Sequence, residues 1–137
     1  MSLTYEQRSQ LDDVNLTVNA IPYSDIPGPD EPPDWWTDQQ MVGHSFVCRD
    51  YTQMKADRLR ELGWPPSSLT VVLCYVETGQ YHAILAVEPT AGETWFLDNR
   101  LNYIYANTLP LPLPYRGDRR QIPGSAEYEP FEFGQEA

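Results

Sequence analysis

The chain has 137 residues and a formal net charge of −11, from 20 Asp and Glu against 9 Lys and Arg. Phosphate contacts need clustered cations, so this balance argues against nucleic acid or an anionic membrane as the partner. At 41% hydrophobic and 12% aromatic residues, the chain can bury one sizeable core, and a single domain is expected over residues 1–115.

The first residues, Met1-Ser2-Leu3-Thr4-Tyr5-Glu6-Gln7-Arg8, lack the basic and apolar segments of a signal peptide. No apolar run approaches the ~20 residues of a membrane span, so a cytoplasmic setting is expected. Residues 4–20 read as a helix, with Leu11, Val14, Leu16, Val18 and Ala20 in a mixed period. Asn15-Leu16-Thr17 matches a glycosylation acceptor, which is read as chance without a secretory signal. Residues 21–34 hold five prolines among Asp25, Asp30, Glu31 and Asp34, an extended acidic loop rather than a regular element. Trp35 and Trp36 follow, and Thr37 or Asp38 can cap a short helix.

A second helix is expected from Cys48 to Leu62. Tyr51, Met54, Leu59 and Leu62 supply its apolar spacing, and Gly63 with Pro65 closes it. The β-branched run Leu69–Glu77 reads as a central strand, Tyr81–Glu88 as a second and Glu93–Asn99 as a third, with turns at 78–80 and 89–92. Tyr103–Tyr105 is a candidate fourth. The Leu-Pro run at 109–114 cannot donate regularly to a ladder. Residues 116–137 are expected to form a polar, flexible tail, with Arg116, Arg119 and Arg120 as solvated surface.

The chemistry concentrates on three residues. Cys48 stands at a helix N-terminus, where the helix dipole and unpaired N–H groups favour a thiolate, and Arg49 beside it adds a positive charge. His82 lies on a strand and can accept the thiol proton. Asp98, on the next strand, can orient the imidazole. A hairpin turning at 89–92 places His82 opposite Asn99, adjacent to Asp98, and a bulge or one-residue shift brings His82 and Asp98 onto one face. The Cys48 helix is expected to pack across the face shared by His82, Ile84 and Ala86. Each residue alone has a plainer reading: a buried thiol as a small hydrophobe, a histidine as a structural hydrogen-bonder, Asp98-Asn99 as turn chemistry. The joint pattern raises the catalytic one. Cys74, in mid-strand, is read as core, and His44 as a surface residue.

These stretches resemble the bacterial transglutaminase-like cysteine proteinases: Cys48-Arg49-Asp50-Tyr51, Lys55, Leu59-Arg60-Glu61-Leu62-Gly63-Trp64-Pro65, Tyr81-His82-Ala83-Ile84-Leu85 and Phe96-Leu97-Asp98-Asn99-Arg100. The resemblance covers about residues 34–105. It implies a papain-like or transglutaminase-like α+β core, a cysteine-bearing helix on a mostly antiparallel sheet of three to five strands. It also implies Cys48 as nucleophile, His82 as general base and Asp98 as orienter. The Asp34-Trp35-Trp36 stretch resembles a Trp-containing segment that precedes the family's cysteine. The backbone N–H of Cys48 is the first oxyanion donor, and Trp35, Trp36, Gln39 and Gln40 are candidates for the second and for substrate binding. Around its cysteine the family carries Gly-Asp-Cys-Glu-Asp, which contributes to a calcium site in adhesin-clipping members. Phe46-Val47-Cys48-Arg49-Asp50 lacks two of those carboxylates, so neither metal nor cofactor is expected. The function read from the chain is a cysteine peptidase or amidase with a thioester acyl-enzyme, acting on a protein or peptide. A peptidoglycan-type amidase and a non-catalytic binding or virion-type protein that kept the fold are the alternatives. Oligomeric state is open.

Overall fold

The computed structural model describes residues 3–21, 47–90 and 92–134. Among them are two α-helices, α1 (Tyr5–Asn19) and α2 (Val47–Glu61), and six strands: β1 (Leu69–Tyr75), β2 (Tyr81–Thr90), β3 (Glu93–Leu97), β4 (Tyr105–Ala106), β5 (Arg116–Gln121) and β6 (Tyr128–Pro130). The strands form one antiparallel sheet in the order β4-β3-β2-β1-β5-β6. This is the expected α+β architecture with a larger sheet, because the C-terminal segment adds a hairpin to it. No helix among the described residues is long and apolar enough to cross a membrane.

Helix α1 begins with a capping box. Thr4 Oγ1 accepts from the Gln7 N–H at 3.1 Å and Gln7 Oε1 accepts from the Thr4 N–H at 3.0 Å, which satisfies two orphan donors. Its mixed apolar period resolves into a buried stripe of Leu11, Val14 and Val18, with Leu16 left exposed. Asn15 is fully buried on that stripe. Helix α2 ends in a Schellman turn: the Trp64 N–H reaches Leu59 O, the Gly63 N–H reaches Arg60 O, and Gly63 takes a φ of 100° that favours glycine.

The sheet is buried on both faces. On one, Leu11, Val14, Val18, Tyr51 and Leu59 of the helices pack on Leu69, Leu85, Val87 and Leu97. On the other, Val72, Cys74, Ile84, Ala86 and Phe96 pack against Tyr105, Tyr115, Phe131 and Phe133. A small domain exposes a sheet face at a cost of about 25 cal/mol per Å² of apolar surface, so the C-terminal segment has a clear task. That segment therefore departs from the expected flexible tail. β5 pairs with β1, β6 pairs with β5, and Phe131 and Phe133 are buried. Arg116 is exposed, as expected, but Arg119 and Arg120 depart from solvated surface. Arg120 bonds Glu88 at 2.7 Å with its side chain 13% exposed, and Arg119 sits against Asp118 and Tyr81. Residues 109–114 form no strand, in keeping with their prolines.

The β2–β3 register differs by one residue from the hairpin estimate. Leu85 pairs with Leu97 and Ala86 with Phe96, with an irregularity between Val87 and Thr90. The extra residue in the turn shifts the frame, so His82 does not face Asn99. As expected of a one-residue shift, this puts His82, Ile84, Ala86 and Phe96 on one face with Asp98 by alternation.

Candidate active site

Cys48 is the second residue of α2, half-buried, with its carbonyl tied at 2.8 Å to the Thr52 hydroxyl. The same hydroxyl lies 3.2 Å from Ala83 O, so the first turn of the helix is held against β2 beside His82. The backbone N–H of Cys48 stands among the first-turn donors that have no intrahelical acceptor. α2 packs over the Leu85–Val87 face of the sheet, not across Ile84 and Ala86 as expected. Cys48 and His82 nevertheless come close together, where His82 lies beyond the Leu85–Leu97 pair that ends the β2–β3 ladder. There the Cys48 side chain is close enough to the ring to contribute to its raised pKa.

His82 is 6% exposed, and its Nε2 lies 2.9 Å from Asp98 Oδ1. With Nε2 given to the carboxylate, Nδ1 is the nitrogen left for the thiol. Burial opposes the imidazolium, yet hydrogen bonds to Asp98 and Cys48 outweigh it and lift the His82 pKa to about 9. Asp98 is fully buried. Burial opposes its charge in turn, and the bond from His82, the backbone N–H of Arg100 and the Tyr115 hydroxyl hold it below the usual carboxylate range.

A buried carboxylate needs several donors, and Asp98 has four. Oδ1 accepts from His82 and from the Arg100 N–H at 3.0 Å. Oδ2 accepts from the Tyr105 hydroxyl at 3.1 Å and the Tyr115 hydroxyl at 2.7 Å. The turn after Asp98 is pinned from α1: Asn19 Nδ2 donates to Asp98 O at 3.0 Å and Leu101 O at 2.8 Å, and Asn15 Nδ2 donates to Leu101 O at 3.0 Å. Lys55, 1% exposed, packs under the site. Burial lowers its pKa to about 7, against the attraction of Asp98.

Sequence reasoning singled out Cys48, His82 and Asp98, and the fold brings these three together. It missed Tyr105, Tyr115, Asn15 and Asn19. The one signal for the asparagines was a polar residue on the apolar stripe of α1. The tyrosines carry no local signal. Trp35, Trp36, Gln39, Gln40, His44 and the acidic loop lie outside the described residues.

A sequence profile described as bacterial transglutaminase-like cysteine proteinase matches residues 1–110. The chain belongs to that family. Among solved structures, the fold is similar to calcium-bound LapG of Legionella pneumophila, with a TM-score of 0.60 and 21% identity over 82% of this chain and 64% of that one. EGTA-treated LapG of the same organism gives 0.58 and 22%, over 82% and 62%. The chain thus spans less than two thirds of the length of these LapG chains. No curated protein matches.

The calcium of LapG raises the question of whether the residues here suit that ion. Calcium takes six to eight oxygen ligands. Beside Cys48 the chain offers one carboxylate, Asp50, whose Oδ1 is buried without a donor among the described residues. Arg49, 9% exposed, places its positive charge next to that carboxylate. Among the described residues no three His, Cys, Asp or Glu side chains are grouped to hold a metal. The residues flanking the cysteine do not fit a calcium ion.

Proposed function

We propose that this chain is a cysteine peptidase in which Cys48, His82 and Asp98 act as nucleophile, general base and orienter on a protein or peptide substrate. The observation that carries the reading is the buried His82–Asp98 bond of 2.9 Å, with Cys48 close enough to help raise the His82 pKa. The imidazole takes the thiol proton, and Asp98 stabilises the imidazolium that results. The thiolate sulfur bonds to the carbonyl carbon of the scissile amide, and the oxyanion forms near the Cys48 N–H. The C–N bond then breaks, and the amine leaves with the proton from His82. His82 next takes a proton from water, the hydroxide attacks the thioester, and the acid product leaves the thiolate. Trp35, Trp36, Gln39 and Gln40 are the candidates for the second oxyanion donor.

The test is hydrolysis of a diverse quenched-fluorescent peptide library by the intact chain, with no metal added. Cys48→Ala and His82→Ala are expected to lose at least about a thousandfold in kcat/KM. Wild-type turnover that survives Cys48→Ala would overturn the assignment.

A further inference from the structure

Tyr115 stands outside the matched family region, in the segment between the Leu-Pro run and β5, yet it meets both acid–base members of the site. Its hydroxyl donates to Asp98 Oδ2 at 2.7 Å. Its ring meets the His82 ring edge-on with centroids 5.6 Å apart. Its oxygen also accepts from Arg100 Nη1 at 3.4 Å, and the Arg100 guanidinium lies 5.5 Å from its ring centroid. Arg100 is itself anchored by an ion pair to Glu77. The side chain is 9% exposed, so these contacts form in a water-poor setting where each is strong.

We infer that Tyr115 is a positioning residue for the acid–base pair, supplied by the C-terminal segment: its hydroxyl fixes the Asp98 carboxylate while its ring fixes the plane of His82. This rests on the reading of Cys48, His82 and Asp98 as a catalytic triad. A carboxylate can rotate about its own axis. Donors on Oδ2 hold the opposite oxygen, Oδ1, toward His82 Nε2. The Tyr105 hydroxyl helps from 3.1 Å, but its ring packs on Phe96. Tyr115 is the residue that touches both partners. Its single hydroxyl proton goes to Asp98, and the donor from Arg100 polarises that O–H toward the carboxylate.

The decisive variant is Tyr115→Phe, which keeps the ring and removes only the hydroxyl, so the second apolar face stays packed. Tyr103→Phe, at an exposed tyrosine, is the control. Two readouts on the intact chain separate positioning from mere stability. Heteronuclear NMR titration of His82 is expected to show its pKa falling toward the ordinary histidine value as Asp98 loses alignment. The rate of Cys48 alkylation by iodoacetamide is expected to fall about three- to tenfold at pH 6. Its acid limb should move to higher pH, because the imidazolium that stabilises the thiolate forms less readily. Melting temperature should change by only a few degrees. An unchanged or raised His82 pKa in Tyr115→Phe overturns the inference, as does an alkylation profile that superimposes on wild type. If wild-type Cys48 shows no His82-dependent alkylation, the peptidase reading fails, and the His82 titration still decides whether Tyr115 positions the pair.

Discussion

Two thiols in one chain make the residue scale testable without a substrate. Cys48 is half-buried at a helix start, within reach of His82, whereas Cys74 is fully buried on β1, where burial raises its pKa well above the ordinary thiol value. At pH 7, iodoacetamide should label Cys48 at least about tenfold faster than Cys74, and His82→Ala should slow the labelling. Peptide mapping of the alkylated chain reads this directly, and equal rates at the two sites would count against a His82-activated thiol. The His82–Asp98 pair makes a second, pH-dependent prediction. A raised imidazole pKa contributes stability that is full below 6.5 and lost as pH rises through about 9. A lowered carboxylate pKa contributes stability present above 3.8 and lost as pH falls toward about 2. The stability gap between wild type and Asp98→Asn should therefore be widest near pH 4–6 and shrink toward pH 9. Urea unfolding at a series of pH values measures it, and a gap that widens with rising pH would contradict the sign.

At the scale of elements, α1 is more than a lid over the core. Its C-terminal turn carries Asn19, whose amide bonds two backbone carbonyls in the loop that follows β3, and Asp98 is one of the two. The helix thereby sets the height at which the carboxylate meets His82. Asn19→Ala would leave Asp98 O without this donor and is expected to cost about 1–3 kcal/mol of stability. Because Asp98 would also lose its anchor, the His82 titration should move in the same variant. Asn102→Ala, whose side chain meets Asn19 only at 3.5 Å on the surface, should do neither. Calorimetry and NMR on the two variants check this, and equal behaviour of the two would remove α1 from the site. α2 contributes in a different way. Thr52 holds its first turn to β2 through Cys48 O and Ala83 O, which ties Cys48 to the strand that carries His82.

For the whole molecule, the C-terminal segment decides how the second face of the sheet is closed. β5 crosses under this segment at Gly117, where an added Cβ would meet Phe131 O at 2.5 Å and the Phe131 ring at 3.1 Å. Backbone oxygen cannot yield as a side-chain tip can. Gly117→Ala should thus cost about 1–3 kcal/mol by overpacking, and loosen the Phe131–Phe133–Tyr115 cluster that backs Asp98. Thermal unfolding measures the loss, and a Gly117→Ala chain as stable as wild type would show that this contact is not tight in solution.

Much of this protein was legible in the residues themselves. Both helices, the first three strands and the choice of Cys48, His82 and Asp98 follow from local signals: apolar period, a Gly63 stop, β-branched runs and chain order. Such signals act over a few residues, and the sequence carries them wherever it folds. The tertiary structure alone decided the rest. The β2–β3 register turned on one residue in the turn, which no propensity specifies. The polar, arginine-bearing stretch after residue 115 joined the sheet because it pairs with β1, some forty residues earlier, and its aromatics cover an apolar face that would otherwise meet water. Asn19 and Tyr115 became part of the site because a buried carboxylate and its turn must find donors wherever the chain brings them, here from 79 residues before Asp98 and 17 after it.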